Sequence, residues 1–69
     1  MAARIKNKYA PEDEGPLYGT VAEAEAALQD MLKRFKSRGH MVTETEDEDG
    51  RLYGVSDEEG RPVGIYYIE

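Results

Sequence analysis

The sequence predicts an α+β domain in which one amphipathic helix packs on a three-stranded antiparallel β-meander. Three observations predict this class: an apolar stripe with helical spacing over residues 20–39, a change to a period of two over residues 40–69, and two turn sequences within that second half. A chain of 69 residues suffices for one small domain, which buries roughly 60% of the surface that it exposes when unfolded. We therefore expect a single domain over residues 1–69.

The first nineteen residues are expected to form a basic arm followed by an acidic loop. Residues 1–10 contain three basic side chains and no acid. The segment ARIKNKYA either stays a mobile arm or adds a short edge strand through Ile5 and Tyr9. Residues 11–19, PEDEGPLYG, contain two prolines and two glycines and are therefore typical of a loop.

Residues 20–39, TVAEAEAALQDMLKRFKSRG, are predicted to form the helix. Thr20 and Glu23 have the spacing of a capping box, in which each side chain accepts a hydrogen bond from a free amide of the first turn. Gly39 can take the left-handed conformation that ends a helix. Four basic residues near the end suit the negative end of the helix macrodipole. The apolar stripe comprises Val21, Ala24, Leu28, Met31 and Phe35, with Leu32 beside it.

Three strands are predicted after the helix, joined by two tight turns. The strands are His40–Asp47, Arg51–Asp57 and Arg61–Glu69. Asp49-Gly50 is a dipeptide favoured in two-residue hairpin turns, and the sequence EEG at residues 58–60 is typical of a three-residue turn that ends on a left-handed glycine.

The two turns fix which side chains share a face of the predicted sheet. We expect Glu48 to pair with Arg51 and Asp57 to pair with Arg61. The face toward the helix then comprises Val42, Tyr53, Val55, Val63, Ile65 and Tyr67. The opposite face comprises Met41, Thr43, Thr45, Leu52, Gly54, Ser56, Pro62, Gly64, Tyr66 and Ile68.

The composition excludes several classes of function. Fifteen acidic and nine basic residues give a net charge of −6, which argues against direct binding to nucleic acid or to an anionic membrane surface. No apolar run approaches the roughly 20 residues of a membrane span, and the basic beginning is not followed by the apolar stretch of a signal peptide. Without cysteine there is no disulfide or thiolate metal site. These features favour a cytoplasmic protein.

No motif for catalysis or for a metal ion is present, and we expect neither enzymatic activity nor a cofactor. His40 is the single histidine, and the serines Ser37 and Ser56 do not lie in a nucleophile elbow. The closest metal motif is an EF-hand loop aligned on TETEDEDGRLYGVS. That alignment fails at its first and last ligands, where Thr45 and Ser56 replace the required Asp and Glu.

The segment TETEDEDG, residues 43–50, contains five carboxylates and no basic residue. One interpretation is a solvated hairpin whose charges protect an exposed sheet edge. The other is mimicry of a polyanion, because Glu44 and Glu46 would lie on one face of a strand about 6.6 Å apart. Three acids at the second turn and three in the PEDEG loop would add to such a surface. Binding to a basic partner would then rest on electrostatics and depend strongly on salt.

The acidic blocks PEDEG, TETEDEDG and SDEEG around one amphipathic helix resemble the small acidic anti-CRISPR proteins encoded by phages and other mobile elements. The chain is similar in size, element order and charge to a helix-plus-three-strand inhibitor of type I CRISPR surveillance complexes, such as those of type I-C. The resemblance implies a monomeric DNA mimic in the bacterial cytoplasm that occupies the basic DNA-binding surface of a Cascade subunit. The residues implied in partner binding are Glu44, Glu46, Asp47, Glu48, Asp49, Asp57, Glu58 and Glu59.

A plain protein–protein interaction module, such as an antitoxin or a phage assembly factor, is the alternative. In that case the contact would be made by apolar residues on the exposed face of the sheet, and the acids would keep the protein in solution. The expected contact residues are Leu52, Tyr66 and Ile68.

Overall fold

The computed structural model describes residues 2–48 and 50–69, in which the chain forms one helix and a five-stranded antiparallel sheet. The elements are β1 (Ala3–Asn7), β2 (Leu17–Tyr18), α1 (Val21–Ser37), β3 (Met41–Asp47), β4 (Gly50–Ser56) and β5 (Pro62–Ile68). The strand order is β2-β1-β5-β4-β3. The α+β class is therefore confirmed, and the three predicted strands form part of a larger sheet.

The predicted extra strand through Ile5 is confirmed as β1, but it lies inside the sheet, between β2 and β5, instead of at its edge, and Tyr9 lies beyond its end. The alternative of a mobile arm is wrong. Ala3 and Ile5 are 2% and 9% exposed, and Ile5 pairs with Ile68 of β5. The basic residues Arg4 and Lys6 alternate with these apolar side chains and take the opposite face. Burial of the apolar positions thus places the basic segment in the middle of the sheet.

The loop predicted over residues 11–19 folds back onto β1 and ends in β2. Tyr18 pairs with Ala3, and Leu17 pairs with Arg4. Gly15 adopts a φ of +67° and lies against the carbonyl oxygen of Ile5, a place where any Cβ would collide with backbone. The two-residue β2 therefore covers the outer edge of β1.

The predicted helix is confirmed over Val21–Ser37, together with its start and stop signals. The Thr20 hydroxyl oxygen accepts a hydrogen bond from the Glu23 amide at 3.1 Å. Gly39 has a φ of +88°, and the amides of Gly39 and His40 donate to carbonyls of the last turn, as in a Schellman motif. The core between helix and sheet comprises Ile5, Leu28, Leu32, Tyr53 and Val55.

The first hairpin turn differs from the predicted one by two residues of register. Asp47 pairs with Gly50 and Glu46 pairs with Arg51, so Gly50 lies in β4 instead of in the turn, and Arg51 lies opposite Glu46 instead of Glu48. Asp49 itself lies outside the described residues. A shift of two residues leaves each side chain on its predicted face, because side chains alternate with a period of two.

The pairing of β4 with β5 contains an irregularity that changes the predicted faces. Ser56 pairs with Pro62, whereas Val55 pairs with Gly64, so Val63 is an extra residue on β5. A bulge of this kind moves every later side chain of the strand to the other face. Toward the helix β5 therefore presents Tyr66 and Ile68, and toward the open face it presents Ile65 and Tyr67, the reverse of the prediction.

Tyr66 packs beneath the helix, where its ring centroid lies 5.9 Å from that of Phe35. Burial raises the pKa of Tyr66 above its ordinary value. A tyrosine with a raised pKa in the folded state stabilises the fold below its unfolded pKa, and this contribution is lost as the pH rises. We expect the free energy of unfolding to fall above about pH 10. In Tyr66→Phe this alkaline slope should be shallower in urea titrations; an equal slope would contradict the assignment.

Candidate functional surface

The acidic residues predicted to bind a partner lie at two opposite ends of the sheet. The β3–β4 turn is at one end of β4 and the turn of residues 57–61 is at the other. Seven strand residues separate the two ends by about 20 Å. We call the first the hairpin end, comprising Glu44, Glu46, Asp47 and Glu48, and the second the far end, comprising Asp57, Glu58 and Glu59.

At the hairpin end, strand β3 forms the edge of the sheet and is exposed along almost its whole length. Glu44 pairs with the core residue Tyr53, and Glu46 pairs with Arg51, so both glutamates lie on the helix side of the sheet. Thr43 alternates with them and faces the opposite side. The structure thus places two exposed carboxylates at alternate positions of an edge strand, on the same face of the sheet.

A cation not included in the predicted site lies across from these two glutamates. Arg51 Nη1 is 3.7 Å from Glu44 Oε1. The pKa of Arg51 is raised, first by its hydrogen bond with the Tyr53 side chain and then by the charges of Glu44 and Glu46. The row of carboxylates is therefore partly neutralised. The predicted hairpin already placed Arg51 opposite an acid, Glu48, but the site prediction did not count its charge; the observed register places it opposite Glu46.

At the far end, the acidic side chains mainly make contacts that stabilise the turn. Asp57 Oδ1 accepts hydrogen bonds at 2.9 Å from the amides of Glu59 and Arg61. Glu59 Oε2 lies 3.4 Å from Arg61 Nη2, and the Glu58 side chain lies against Gly39 at the end of the helix. These contacts keep the carboxylates of Asp57, Glu58 and Glu59 at the far end, so they do not join those of the hairpin end.

The acids of the PEDEG loop occupy a third place, beside β1. Asp13 Oδ1 accepts a hydrogen bond from the Gly15 amide at 3.0 Å. Glu14 Oε2 lies 3.7 Å from Arg4 Nη1, and that guanidinium also donates to the Gly15 carbonyl. The three acidic blocks of the sequence therefore do not form one continuous surface.

A cavity of about 870 Å³ opens at the hairpin end, and we call it the hairpin cleft. The β4–β5 ladder reaches this end no further than the pair of Tyr53 with Tyr66, although both strands continue. On the helix side the cleft is lined by Val21, Glu25, Leu28, Glu46, Arg51, Tyr53 and Ile68, and it extends to Lys8, Leu52 and Tyr67 on the open face. The cleft therefore combines an apolar floor with carboxylates from two different elements.

The open face of the sheet carries a different set of apolar residues from the set predicted. Tyr66 and Ile68 face the helix, so the alternative interaction surface cannot comprise them. Leu52 lies on the open face with Ile65 and Tyr67, all of them half-buried. Lys8 Nζ lies 5.8 Å from the centroid of the Tyr67 ring.

The Ser37 hydroxyl and the His40 ring make local contacts at the end of the helix. The Ser37 hydroxyl donates to the Arg34 carbonyl, and the His40 ring lies 5.4 Å from the Phe35 ring, with its Nδ1 buried and unpaired. Over residues 2–48 and 50–69, no three histidine or acidic side chains are placed to hold a metal ion. No helix in that part of the chain is long and apolar enough to cross a membrane.

Comparisons with family models, with curated proteins and with solved structures find no match for this chain.

Proposed function

We propose that the protein is a non-enzymatic, monomeric inhibitor that uses the carboxylates of its hairpin end to cover a basic DNA-binding surface of a CRISPR surveillance complex in the bacterial cytoplasm. The observation that carries this proposal is the exposed pair Glu44 and Glu46 on an edge strand, with Glu48 continuing the line into the turn. The net charge of −6 also favours a positively charged partner.

The geometry of an edge strand suits the imitation of one DNA strand. Alternate residues of a strand are about 6.6 Å apart, which is close to twice the roughly 3.4 Å axial rise per phosphate of one DNA strand. Held on a sheet, these carboxylates lose less entropy on docking than an acidic tail would. Arg51 lies 3.7 Å from Glu44 and acts more weakly on Glu46, its partner across the ladder, so Glu44 is the more strongly compensated of the two.

The strand edge also favours a monomer over self-association. Two copies of β3 paired edge to edge would bring the glutamates of one copy close to those of the other, and like charges across a pair of strands are destabilising. A partner strand or surface with lysine and arginine meets no such repulsion. The same glutamates therefore disfavour pairing with a second copy of the protein and favour binding to a basic partner.

The test is a competition assay with a purified type I surveillance complex and labelled double-stranded target DNA at two salt concentrations. The proposal expects the protein to displace DNA, and to do so less well at high salt because screening weakens exposed charge pairs. DNA binding that stays unchanged at low salt, with the protein in excess, would contradict the proposal for that complex.

Charge reversal at the hairpin end should remove inhibition, whereas the same reversal at the far end should not. We expect Glu46→Lys/Glu48→Lys to raise the inhibitor concentration needed for half-displacement by about tenfold or more, since two attractive contacts become repulsive. Glu58→Lys/Glu59→Lys changes the net charge equally and serves as the control. Equal losses in the two variants would indicate that overall charge alone governs binding. Circular dichroism would verify that both remain folded.

The alternative, an interaction module of the antitoxin or assembly-factor kind, is supported by the uncovered sheet face. Among residues 2–48 and 50–69, no helix or strand packs over Leu52, Ile65 and Tyr67 on this face. Antiparallel sheets commonly leave one face in water, but that face is then mainly polar. Under this alternative, Leu52→Ser would abolish binding to the partner and the hairpin-end reversal would spare it.

A further inference from the structure

We propose that the hairpin cleft is a docking site for a segment of a partner protein that carries an apolar anchor side chain flanked by lysine or arginine. This inference deepens the proposed function, since it names a second, apolar part of the same contact. It rests on the cleft as a cavity and on the charges around it.

The floor of the cleft is apolar and comes from three elements. Leu28 of the helix is 1% exposed, Tyr53 of β4 is 9% exposed, and Ile68 of β5 is partly buried against them. At the mouth, Val21 in the first helical turn is 47% exposed. An apolar side chain entering the cleft would therefore find apolar contacts below it and beside it, and each buried methylene would add about 0.8 kcal/mol of transfer free energy, or about fourfold in affinity.

The rim of the cleft has a negative balance. Glu25 from the helix and Glu46 from β3 line it on the helix side, and Glu69 lines it beyond β5. Of the two cations in the lining, Arg51 is paired with Glu44, whereas Lys8 lies 5.8 Å from the centroid of the neutral Tyr67 ring and keeps its charge, so three carboxylates face one uncompensated cation. Charge complementarity thus favours a cationic occupant over an acidic one.

The volume of the cleft favours a peptide segment over a single ion. About 870 Å³ lies in the range of cavities that hold ligands much larger than one side chain. The long stem of a lysine or arginine can lie along the apolar floor while its charged end stays near the carboxylates. A segment with one anchor and flanking basic residues would use both features, and basic surfaces that bind DNA contain many such lysines and arginines.

The experiment is an NMR titration of ¹⁵N-labelled protein with the end-blocked peptide KKLWKK. Two matched peptides separate the contributions: KKSSKK keeps the charge without the anchor, and EELWEE keeps the anchor with the opposite charge. We expect KKLWKK to shift the amide signals of Val21, Tyr53 and Ile68 and to saturate below about 1 mM. KKSSKK should bind at least about tenfold more weakly, and EELWEE should cause no shifts in these signals.

Two pairs of changes in the protein make the result specific to the cleft. Glu25→Gln/Glu46→Gln should lower the affinity for KKLWKK by about tenfold, whereas Glu12→Gln/Glu58→Gln, with the same net charge, should leave it unchanged. Val21→Ser should lower it by about fourfold through lost apolar contact. Equal losses in the two glutamine doubles, equal binding of KKSSKK, or shifts confined to the PEDEG loop and the far end would each overturn the inference.

This titration is independent of any CRISPR component. Peptide binding in the cleft without DNA displacement from the surveillance complex would support the docking site and reject the proposed target. DNA displacement without peptide binding in the cleft would support the target and reject the docking site.

Discussion

Replacing Ile5 by aspartate is expected to unfold most of the protein at room temperature. Ile5 is 9% exposed, belongs to the core cluster and pairs with Ile68 in the centre of the sheet. A carboxylate at this position would lose its hydration without gaining a cationic partner, at a cost of several kcal/mol. A domain of this size has only about 5 kcal/mol of stability in total. Circular dichroism and urea denaturation would measure the loss.

Lys6→Asp is the matched control, because it adds the same side chain one residue further along the same strand. Lys6 points to the opposite face of the sheet and contributes one weak hydrogen bond, from Nζ to the Pro11 carbonyl at 3.4 Å. We expect it to change the free energy of unfolding by less than about 1 kcal/mol. If both variants stayed folded, β1 would not be part of the core, and the segment would behave as the mobile arm that the sequence allowed.

Replacing Gly64 by valine is expected to destabilise the protein by about 2–3 kcal/mol. Gly64 is buried on the helix side of β5, opposite Val55. A Cβ there would lie 2.9 Å from Asn7 Nδ2 and 3.0 Å from a ring carbon of Tyr66. Displacing Asn7 would also break its hydrogen bond with the Ile65 amide. The midpoint of urea unfolding measures this cost.

Gly54→Val provides the comparison, since Gly54 lies on the open face of the neighbouring strand. Its closest obstacle is the hydroxyl of Thr43 at 3.0 Å, an exposed side chain that can rotate away. Valine is also favoured in strands, so the change should cost little. Without the bulge, Gly64 would lie on the open face and Gly64→Val would be equally mild. A small effect at Gly64 would therefore contradict the observed register.

The helix could be predicted closely because its signals are local. Thr20, Gly39 and the apolar stripe depend on neighbours within one or two turns, and each lies where the sequence placed it. The register of β5 could not be predicted in this way. Val63 packs against the core as predicted, and beyond it the strand can turn either Ile65 and Tyr67 or Tyr66 and Ile68 toward the helix. Alternation alone does not choose between them, and the bulge depends on contacts with β4 and Asn7.

The candidate surface could be predicted only in part, for a related reason. Glu44 and Glu46 share a face as the period of two requires, and this follows from β3 alone. Arg51 and Glu25 join them only after the hairpin has closed and the helix has packed on the sheet. A run of acidic residues in the sequence does not show which charged residues of other elements will lie beside it after folding. The partial neutralisation of the glutamates by Arg51 and the hairpin cleft were therefore not predicted.

The pairing of β1 with β5 has a consequence for how the protein is made. Each of these strands lies in the interior of the sheet, yet Ile5 and its partner Ile68 are separated by almost the whole chain. During synthesis, β1 leaves the ribosome early and cannot find its neighbour until β5 has followed it. Strands so far apart in the sequence pair late and slowly, because the chain loses the conformational entropy of the long loop between them before it gains the contacts. Strand β1 therefore has no β5 to pair with until Ile68 has been synthesised and has left the ribosome, and the core around Ile5 closes only after that.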